Sequence, residues 1–200
     1  MKKISILIFM FLLVGLTGCL TTKVERVKVD EQIDLSGKWN DTDAMMAAKE
    51  MVQSALAGSW RETFMKEKGK TPVVIVGHVE NRSYEHIDTQ VVTKYLESEL
   101  LNSGKVTFVV APDERKGVRD ERQDQQQGLT DPETIKKIGK EVGADYMLIG
   151  SVNSVKDEIK GQYAVLYQVN LELINLETNV KVWLGQKQIK KKVQLGRNSL

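Results

Sequence analysis

One cysteine, Cys19, has the residue type and the surroundings for a covalent modification. It is the only cysteine in the chain, so a disulfide within the chain is excluded and an exported protein needs another use for it. It directly follows Leu16, Thr17 and Gly18. This matches the bacterial lipobox, in which the cysteine thiol is diacylated and the chain is then cut in front of the cysteine. We therefore expect Cys19 to become a lipidated N-terminus; an ordinary signal peptide with a chance cysteine is the alternative.

The residues before Cys19 have the layout of a secretory signal. Lys2 and Lys3 form a basic start, and an apolar run over residues 4–16 follows. A basic segment, a short apolar segment and small residues at the cut are typical of signal peptides. The apolar run is shorter than the ~20 residues that a helix needs to span a bilayer. We therefore interpret residues 1–18 as a lipoprotein signal peptide that is removed.

A polar segment separates the modified cysteine from the rest of the chain. Residues 20–34 show no helical period and contain neither glycine nor proline, so we interpret residues 19–34 as a lipidated tether. Fifteen extended residues reach about 50 Å at ~3.4 Å each. Leu20 stands where an aspartate usually retains a lipoprotein in the inner membrane, so we expect a lipid anchor on the periplasmic face of the outer membrane.

The composition suits one domain and argues against nucleic acid as a partner. The chain has 29 basic and 27 acidic residues, and two of the basic ones, Lys2 and Lys3, belong to the signal. The mature chain is therefore formally neutral and lacks the basic excess of a nucleic-acid-binding protein. Without disulfides, the domain must be held by a hydrophobic core, which a chain of this length can build.

The apolar pattern predicts a globular domain over residues 35–192 that opens with two helices. Asn40 or Thr42 can cap the first helix, and its apolar residues recur at three- and four-residue steps over residues 45–56. Ser59 can begin a second helix directly afterwards. The residues after position 192 resemble a frayed tail, 193–200.

Strands and further helices follow the opening helices. Five segments have the composition of strands: residues 73–77, 106–110, 145–152, 163–173 and 180–184. Apolar stripes predict helices over residues 91–100 and 130–142, and the polar residues 112–128 predict an exposed loop, with a frayed helix as the alternative. The order is helices and then β-α-β-α-β-β-β, an α/β (α+β) domain with a mixed sheet. Its strand-helix-strand part implies a parallel crossover and its last two strands a hairpin.

Residues that could form a catalytic or metal centre are few. His78 and His86, with Glu80, Glu85 and Asp88, are the only dense group of potential ligands, but their spacing fits no metal signature. We interpret them as part of a polar strand-to-helix connection. The sequence has no serine in a Gly-x-Ser-x-Gly elbow and no glycine-rich phosphate loop after a strand. We therefore predict no enzyme activity, no cofactor and no metal.

A basic run near the end of the chain, Lys190 to Lys192, has two interpretations. It can contact anionic lipid, or it can be a solvated end of a strand, and the second is favoured.

Several segments across the domain have a characteristic order and spacing. These are Trp39-Asn40, residues 73–76 running into 79–83, residues 102–109, residues 142–148, the turn 177–179 and residues 181–183. In these segments the chain resembles the LpoB family, the outer-membrane lipoproteins that activate bifunctional penicillin-binding proteins.

This resemblance implies a fold related to the N-terminal domain of the translocation protein TolB and to curli secretion proteins. It also implies a non-catalytic lipoprotein that binds a class A penicillin-binding protein in the periplasm and stimulates peptidoglycan synthesis. The chain departs from the best-known members because it lacks their long proline-rich linker: Pro72, Pro112 and Pro132 all lie inside the domain. A structural or assembly lipoprotein of a secretion or envelope complex, with the same fold, is the alternative function.

The candidate contact surface is the connection after the first core strand. Asn81, Arg82, Tyr84, Glu85 and His86 gather polar and aromatic side chains there. Arginine and tyrosine are common interface anchors because each covers a large area and keeps a hydrogen-bonding end. The alternative is a solvated loop in which Asn81 and Ser83 only satisfy local backbone groups.

Overall fold

The computed structural model describes residues 25–28, 31–136, 138 and 141–196. The predicted signal peptide and Cys19 lie outside these residues. A compact unit begins at Gln32, three residues before the predicted start of the domain.

Two helices open the domain. Helix α1, Asp41–Ala57, begins with a capping box in which the Asn40 side chain accepts from the backbone N–H of Asp43 and the Asp43 carboxylate accepts from that of Asn40. This reciprocal pair satisfies two amide groups that the first helical turn leaves without partners. Helix α2, Trp60–Lys68, follows after Gly58 and Ser59.

The remaining helices and strands follow in the predicted order. They are β1, Val73–Arg82; α3, Thr89–Asn102; β2, Thr107–Phe108; α4, Pro112–Asp124; β3, Tyr146–Ile159; β4, Gln162–Asn175; and β5, Lys181–Gln194. The sheet has the order β2-β1-β3-β4-β5. Strand β1 is parallel to β2 and β3, while β3, β4 and β5 are antiparallel. The predicted mixed α/β fold is confirmed.

The core lies between one face of the sheet and helices α1, α2 and α3. Alternate residues of β4 from Val165 to Leu173 are buried on this side, as expected for a strand with one face in the core. The first four residues of β1, Val73 to Val76, are all buried, so this part of β1 is covered on both faces, as its unbroken apolar run predicts. We call the other face of the sheet, which carries Glu80, Arg82, Asn153 and Gln168, the open face.

The second crossover helix is formed by other residues than predicted. Helix α4 occupies residues 112–124, where the sequence predicted a loop or at most a frayed helix, and the described residues of 130–142 form no helix. Ile138 and Val142, two residues of the predicted stripe, are 66% and 64% exposed. Helix α4 starts with a proline in its first turn, and seven of its thirteen residues are Glu, Arg, Lys or Gln, which are good helix formers. Its prediction as a loop was wrong because hydrophobic periodicity cannot reveal a helix that buries no apolar stripe.

The final strand is longer than predicted. Strand β5 pairs with β4 as far as Gln194, which pairs with Gln162. Val193 and Gln194, which the sequence placed in the tail, are therefore strand residues.

The N-terminal segment before α1 is held against the end of β5 by Lys191. The Lys191 Nζ lies 2.6 Å from Asp34 Oδ1 and 2.7 Å from Asp43 Oδ2, and it donates to the carbonyl of Lys38 at 3.1 Å. Gly37 adopts φ +69°, and a Cβ at this position would clash with Val193. Only glycine takes this conformation without strain and also leaves room for the close approach of β5.

Three charges in this cluster influence one another. Burial raises the pKa of Asp43 above its ordinary value of 3.8, although its hydrogen bonds to Lys191 and Asn40 act against the increase. Hydrogen bonding to Lys191 lowers the pKa of Asp34. Burial by itself would lower the pKa of Lys191, but the hydrogen bonds to Asp34 and Asp43 outweigh burial and leave that pKa raised.

The domain should fold without its tether. We expect a fragment of residues 32–200 to unfold cooperatively in urea, because the contacts of Asp34, Ser36 and Gly37 are all retained. Trp39 packs edge-to-face on Tyr167 and Trp60 does so on Tyr146, so tryptophan fluorescence should report the transition. A matched fragment of residues 39–200 should be less stable by about 1 kcal/mol for each hydrogen bond lost. A fragment of residues 32–200 without a cooperative transition would show that the tether belongs to the core.

Candidate functional site

The candidate loop after β1 is shorter than the sequence suggested, because β1 continues through Arg82. Asn81 pairs with Val152 of β3, and Arg82 pairs with Asn153. Val152 is completely buried, so Asn81 lies on the core side. Since successive strand residues point to opposite faces, Arg82 lies on the open face. The two residues therefore belong to different surfaces.

Asn81 and Ser83 give the loop its shape. Asn81 Nδ2 donates to the carbonyls of Glu85 (2.8 Å) and Ile87 (3.4 Å). Its Oδ1 accepts from the backbone N–H and the hydroxyl of Ser83 at 3.0 and 2.7 Å. These are the local hydrogen bonds that the sequence allowed as an alternative role for Asn81 and Ser83. The loop is therefore preorganised by its own side chains.

Glu85 connects this loop to two distant parts of the chain. Its Oε1 accepts from the Tyr167 hydroxyl at 2.6 Å, and its Oε2 accepts from the backbone N–H of Trp39 at 3.2 Å. Burial raises the pKa of the Tyr167 hydroxyl strongly, and the hydrogen bond to Glu85 raises it further. Tyr167 therefore stays protonated and acts as a donor. Glu85 positions the loop against β4 and the start of α1, so we assign it a positioning role.

Three of the five candidate side chains face solvent. Arg82 is 62% exposed at its side chain, and its Nε and Nη2 both lie 2.7 Å from Glu80 Oε2. This hydrogen bond lowers the pKa of Glu80. Tyr84 is 51% exposed, and its backbone N–H donates to Ser154 Oγ at 3.1 Å. His86 is also exposed, so these three side chains are accessible to a partner.

The five candidates therefore divide by their contacts. Asn81 and Glu85 point into the domain, while Arg82, Tyr84 and His86 point outwards. Tyr84 lies on the side of Tyr167, because its backbone N–H donates to Ser154 Oγ at 3.1 Å and Ser154 is paired with Tyr167 on that face of the sheet. Arg82 is on the open face, next to Glu80. A partner that contacts both residues must therefore reach around the end of β1.

The open face beside Arg82 carries many side-chain amides. The register aligns Arg82 with Asn153, Gln168 and Gln188 across four strands. Gln188 Nε2 donates to Gln168 Oε1 at 3.2 Å, so part of this row is already hydrogen-bonded within the domain. Amides and one arginine can form hydrogen bonds and ionic contacts with a protein surface. The sequence did not single out this row, because its residues are far apart along the chain.

The part of the chain that the structure describes contains no group of three or more His, Cys, Asp or Glu side chains that could hold a metal ion. His78, which the sequence grouped with Glu80, is exposed on β1. None of the helices within the described ranges is long and apolar enough to cross a membrane.

Comparison with known proteins gives one family match. Residues 43–189 match the sequence profile of the family described as peptidoglycan-synthase activator LpoB. These residues run from the first turn of α1 to the middle of β5. No curated protein matches the chain.

Three solved structures of LpoB proteins are similar to the chain. The LpoB C-terminal domain from Escherichia coli is 21% identical with a TM-score of 0.45, and the alignment covers 74% of this chain and 98% of that one. The corresponding domain from Salmonella enterica is 23% identical, with a TM-score of 0.41 and the same coverage. The NMR structure of E. coli LpoB is 17% identical with a TM-score of 0.42, and it covers 90% of this chain and 85% of that one.

Proposed function

Because the chain belongs to the family of the peptidoglycan-synthase activator LpoB, we propose that it is an outer-membrane lipoprotein that binds and activates a class A, bifunctional penicillin-binding protein. The observation that carries this proposal is the match of the family profile to residues 43–189, which spans most of the domain. Membership of the family supports a general role as an activator of penicillin-binding proteins at the periplasmic side. The particular synthase and the lipid anchor at Cys19 are the parts that we add.

The mode of action that we propose is binding rather than chemistry. Three solvent-facing side chains, Arg82, Tyr84 and His86, surround a loop that Asn81 and Glu85 hold in place. A preorganised loop loses little conformational entropy when it binds, so more of its contact energy contributes to affinity. Arginine and tyrosine also are the residue types that most often dominate binding energy.

The length of the tether limits where the partner can be met. The compact unit starts at Gln32, so residues 20–31 remain between the proposed lipid and the domain. Twelve extended residues span about 40 Å at ~3.4 Å each. The synthase must therefore bring its regulatory surface close to the outer membrane, or the chain must be anchored nearer to the synthase.

We expect the double variant Arg82→Ala with Tyr84→Ala to lose ≥ 2 kcal/mol of affinity for the regulatory domain of such a synthase, about a 30-fold weaker Kd, because interface anchors have effects on this scale. The melting temperature should change little, because both side chains are exposed. Isothermal titration calorimetry measures the affinity, and an exposed lysine at a remote site, Lys66→Ala, is the control.

The two single variants separate the surfaces. A loss of affinity in Arg82→Ala alone would place the partner on the open face, and a loss in Tyr84→Ala alone would place it on the side of Tyr167. Unchanged affinity in both variants would exclude the loop and direct attention to the charged residues 113–127. If the unmodified protein neither binds a class A synthase nor raises its rate of glycan polymerisation, the activator proposal is wrong and an assembly role in the envelope is favoured.

A further inference from the structure

The sheet has an end that only β3, β4 and β5 form. The last residue of β1, Arg82, pairs with Asn153, so β3 continues beyond β1 by six residues. In this part, Val155 pairs with Leu166 and Leu166 with Lys190, while Asp157 pairs with Ala164 and Ala164 with Lys192. Directly paired residues of antiparallel strands have their side chains on the same face.

These rows form a surface that combines apolar and basic side chains. We call it the distal patch and define it as Val155, Asp157, Ile159, Ala164, Leu166, Lys190 and Lys192, with Lys160 at the adjoining turn. Val155 is 68% exposed and Ile159 is 66% exposed. Large apolar side chains that are exposed together mark an interaction surface more often than single ones do.

The lysines of the distal patch differ from their neighbour Lys191. Lys191 points to the opposite face and is neutralised by Asp34 and Asp43. Lys160, Lys190 and Lys192 form no ion pair with any residue in the described part of the chain. Of the two nearby acids, Glu158 is paired with Lys156 on the opposite face, whereas Asp157 lies on the patch face in the row of Ala164 and Lys192. The patch therefore has a positive excess beside its apolar surface.

The start of the compact unit lies next to the strand that carries Lys190 and Lys192. Asp34, two residues after the start of the compact unit, binds Lys191, which stands between Lys190 and Lys192 in β5. The segment from Ser36 to Lys38 covers the other face of the same strands, through Tyr163, Tyr167 and Lys191. The distal patch therefore lies on the uncovered face of these strands, and the first residues of the compact unit pack on their other face.

We propose that the distal patch docks on the anionic phospholipid surface to which the lipid on Cys19 anchors the protein. This inference rests on the proposed lipid anchor. The anchor confines the patch to within the reach of residues 20–31, so a weak surface contact is sufficient for docking. Apolar side chains that enter the headgroup region and lysines that attract anionic headgroups are the two components of peripheral membrane binding. Docking fixes which end of the domain faces the bilayer and leaves α2 and the β4–β5 turn facing away.

The test uses the full lipidated chain, reconstituted on vesicles of phosphatidylethanolamine with phosphatidylglycerol. Because the acylated Cys19 is blocked, Ile159→Cys introduces a single thiol that takes an environment-sensitive fluorophore. We expect blue-shifted emission and quenching by spin-labelled lipid headgroups. Glu67→Cys, an exposed position on α2 near the opposite end of β3, is the control and should give the emission of a label in water.

Charge provides a second readout. In the triple variant Lys160→Gln, Lys190→Gln and Lys192→Gln, the ratio of docked to undocked domain should fall about fivefold for each lysine removed. The matched variant Lys49→Gln, Lys66→Gln and Lys105→Gln, with the same change of charge elsewhere, should dock normally. Raising the salt from 0.1 M to 1 M shortens the Debye length from about 10 Å to about 3 Å, so it should release the unmodified patch.

The outcomes distinguish the patch from the anchor. If the protein floats with the vesicles but the label at position 159 behaves like the label at position 67, the patch does not dock and the proposal is wrong while the anchor stands. If the protein does not float with the vesicles at all, the lipid anchor fails and this inference fails with it. If the emission shift persists in neutral phosphatidylcholine vesicles and grows with protein density, the patch binds a second copy of the chain and the membrane proposal is overturned.

Discussion

Lys191→Met should lower the free energy of unfolding by about 3–5 kcal/mol, the usual cost of removing one partner from a buried ion pair. Asp43 is 2% exposed, and its carboxylate lies 2.7 Å from Lys191 Nζ. Methionine retains the apolar length of the side chain, so the loss comes mainly from the charge. Without Lys191, the backbone N–H of Asn40 is the one donor to the Asp43 carboxylate that remains among the residues that the structure describes. Urea denaturation followed by tryptophan fluorescence measures the change.

A neighbouring lysine provides the control for this prediction. Lys190 is exposed and points to the opposite face of β5, so Lys190→Met should alter the free energy of unfolding by no more than about 0.5 kcal/mol, as is usual at the surface. If Lys191→Met and Lys190→Met unfolded at the same urea concentration, the Asp34–Lys191–Asp43 cluster would contribute nothing to stability.

The deficit of Lys191→Met should depend on pH. Burial raises the pKa of Asp43 already with Lys191 present, and the loss of Lys191 raises it further. A carboxyl group whose pKa is higher in the folded state binds more protons there than in the unfolded state, so stability falls as the pH rises through this interval. The variant should therefore be closest to the unmodified protein below the ordinary pKa of 3.8. The difference in the free energy of unfolding between the two proteins should then grow as the pH rises to the raised pKa of Asp43.

Cys19→Ala should abolish lipidation completely, because no other cysteine is present to take its place. We expect the precursor to remain uncut by the lipoprotein signal peptidase and to retain residues 1–18. The mobility of the precursor in gel electrophoresis and the partition of the mature protein between water and detergent measure these two steps. Acyl chains contribute ~0.8 kcal/mol per buried CH₂ group, so the unmodified protein should partition into detergent.

The matched variant at the next position separates lipidation from sorting. Leu20→Asp should still be acylated and cut, but it should remain in the inner membrane. If Cys19→Ala is cut at the same place and the unmodified protein partitions into water, the chain is exported by an ordinary signal peptide and is not a lipoprotein.

Most of the fold follows from local patterns in the sequence. The stripe from Met45 to Leu56, the unbroken apolar run at the start of β1 and the alternation in β4 each predict one element, because helices repeat every 3.6 residues and strands every two. The same reasoning failed for α4. Its residues have high helix propensity but no apolar stripe, whereas Ile138 and Val142 have helical spacing but remain exposed.

The candidate loop was proposed from its composition, but its internal organisation does not follow from that composition. Arg82 and Tyr84 are two positions apart and were treated as one surface, yet the end of β1 between them places them on different sides. Glu85 was grouped with the partner-binding residues, but it is hydrogen-bonded to Tyr167 and Trp39. Glu85 and Tyr167 are separated by 82 residues in the sequence, and Glu85 and Trp39 by 46. No spacing rule within one helix or strand predicts such contacts.

The sequence by itself determined the helix-then-strand order and the family, because both depend on the order and spacing of segments along the chain, and it predicts lipidation at Cys19 from the residues directly before it. Only the tertiary structure decided which polar residues hold the domain together and which remain available to a partner. In the sequence, Lys191 is one of three consecutive lysines. The register of β4 and β5 places its side chain towards Asp34 and Asp43, while Lys190 and Lys192 face the other side. Side chains alternate across a sheet, so the function of each lysine depends on what packs against its own face.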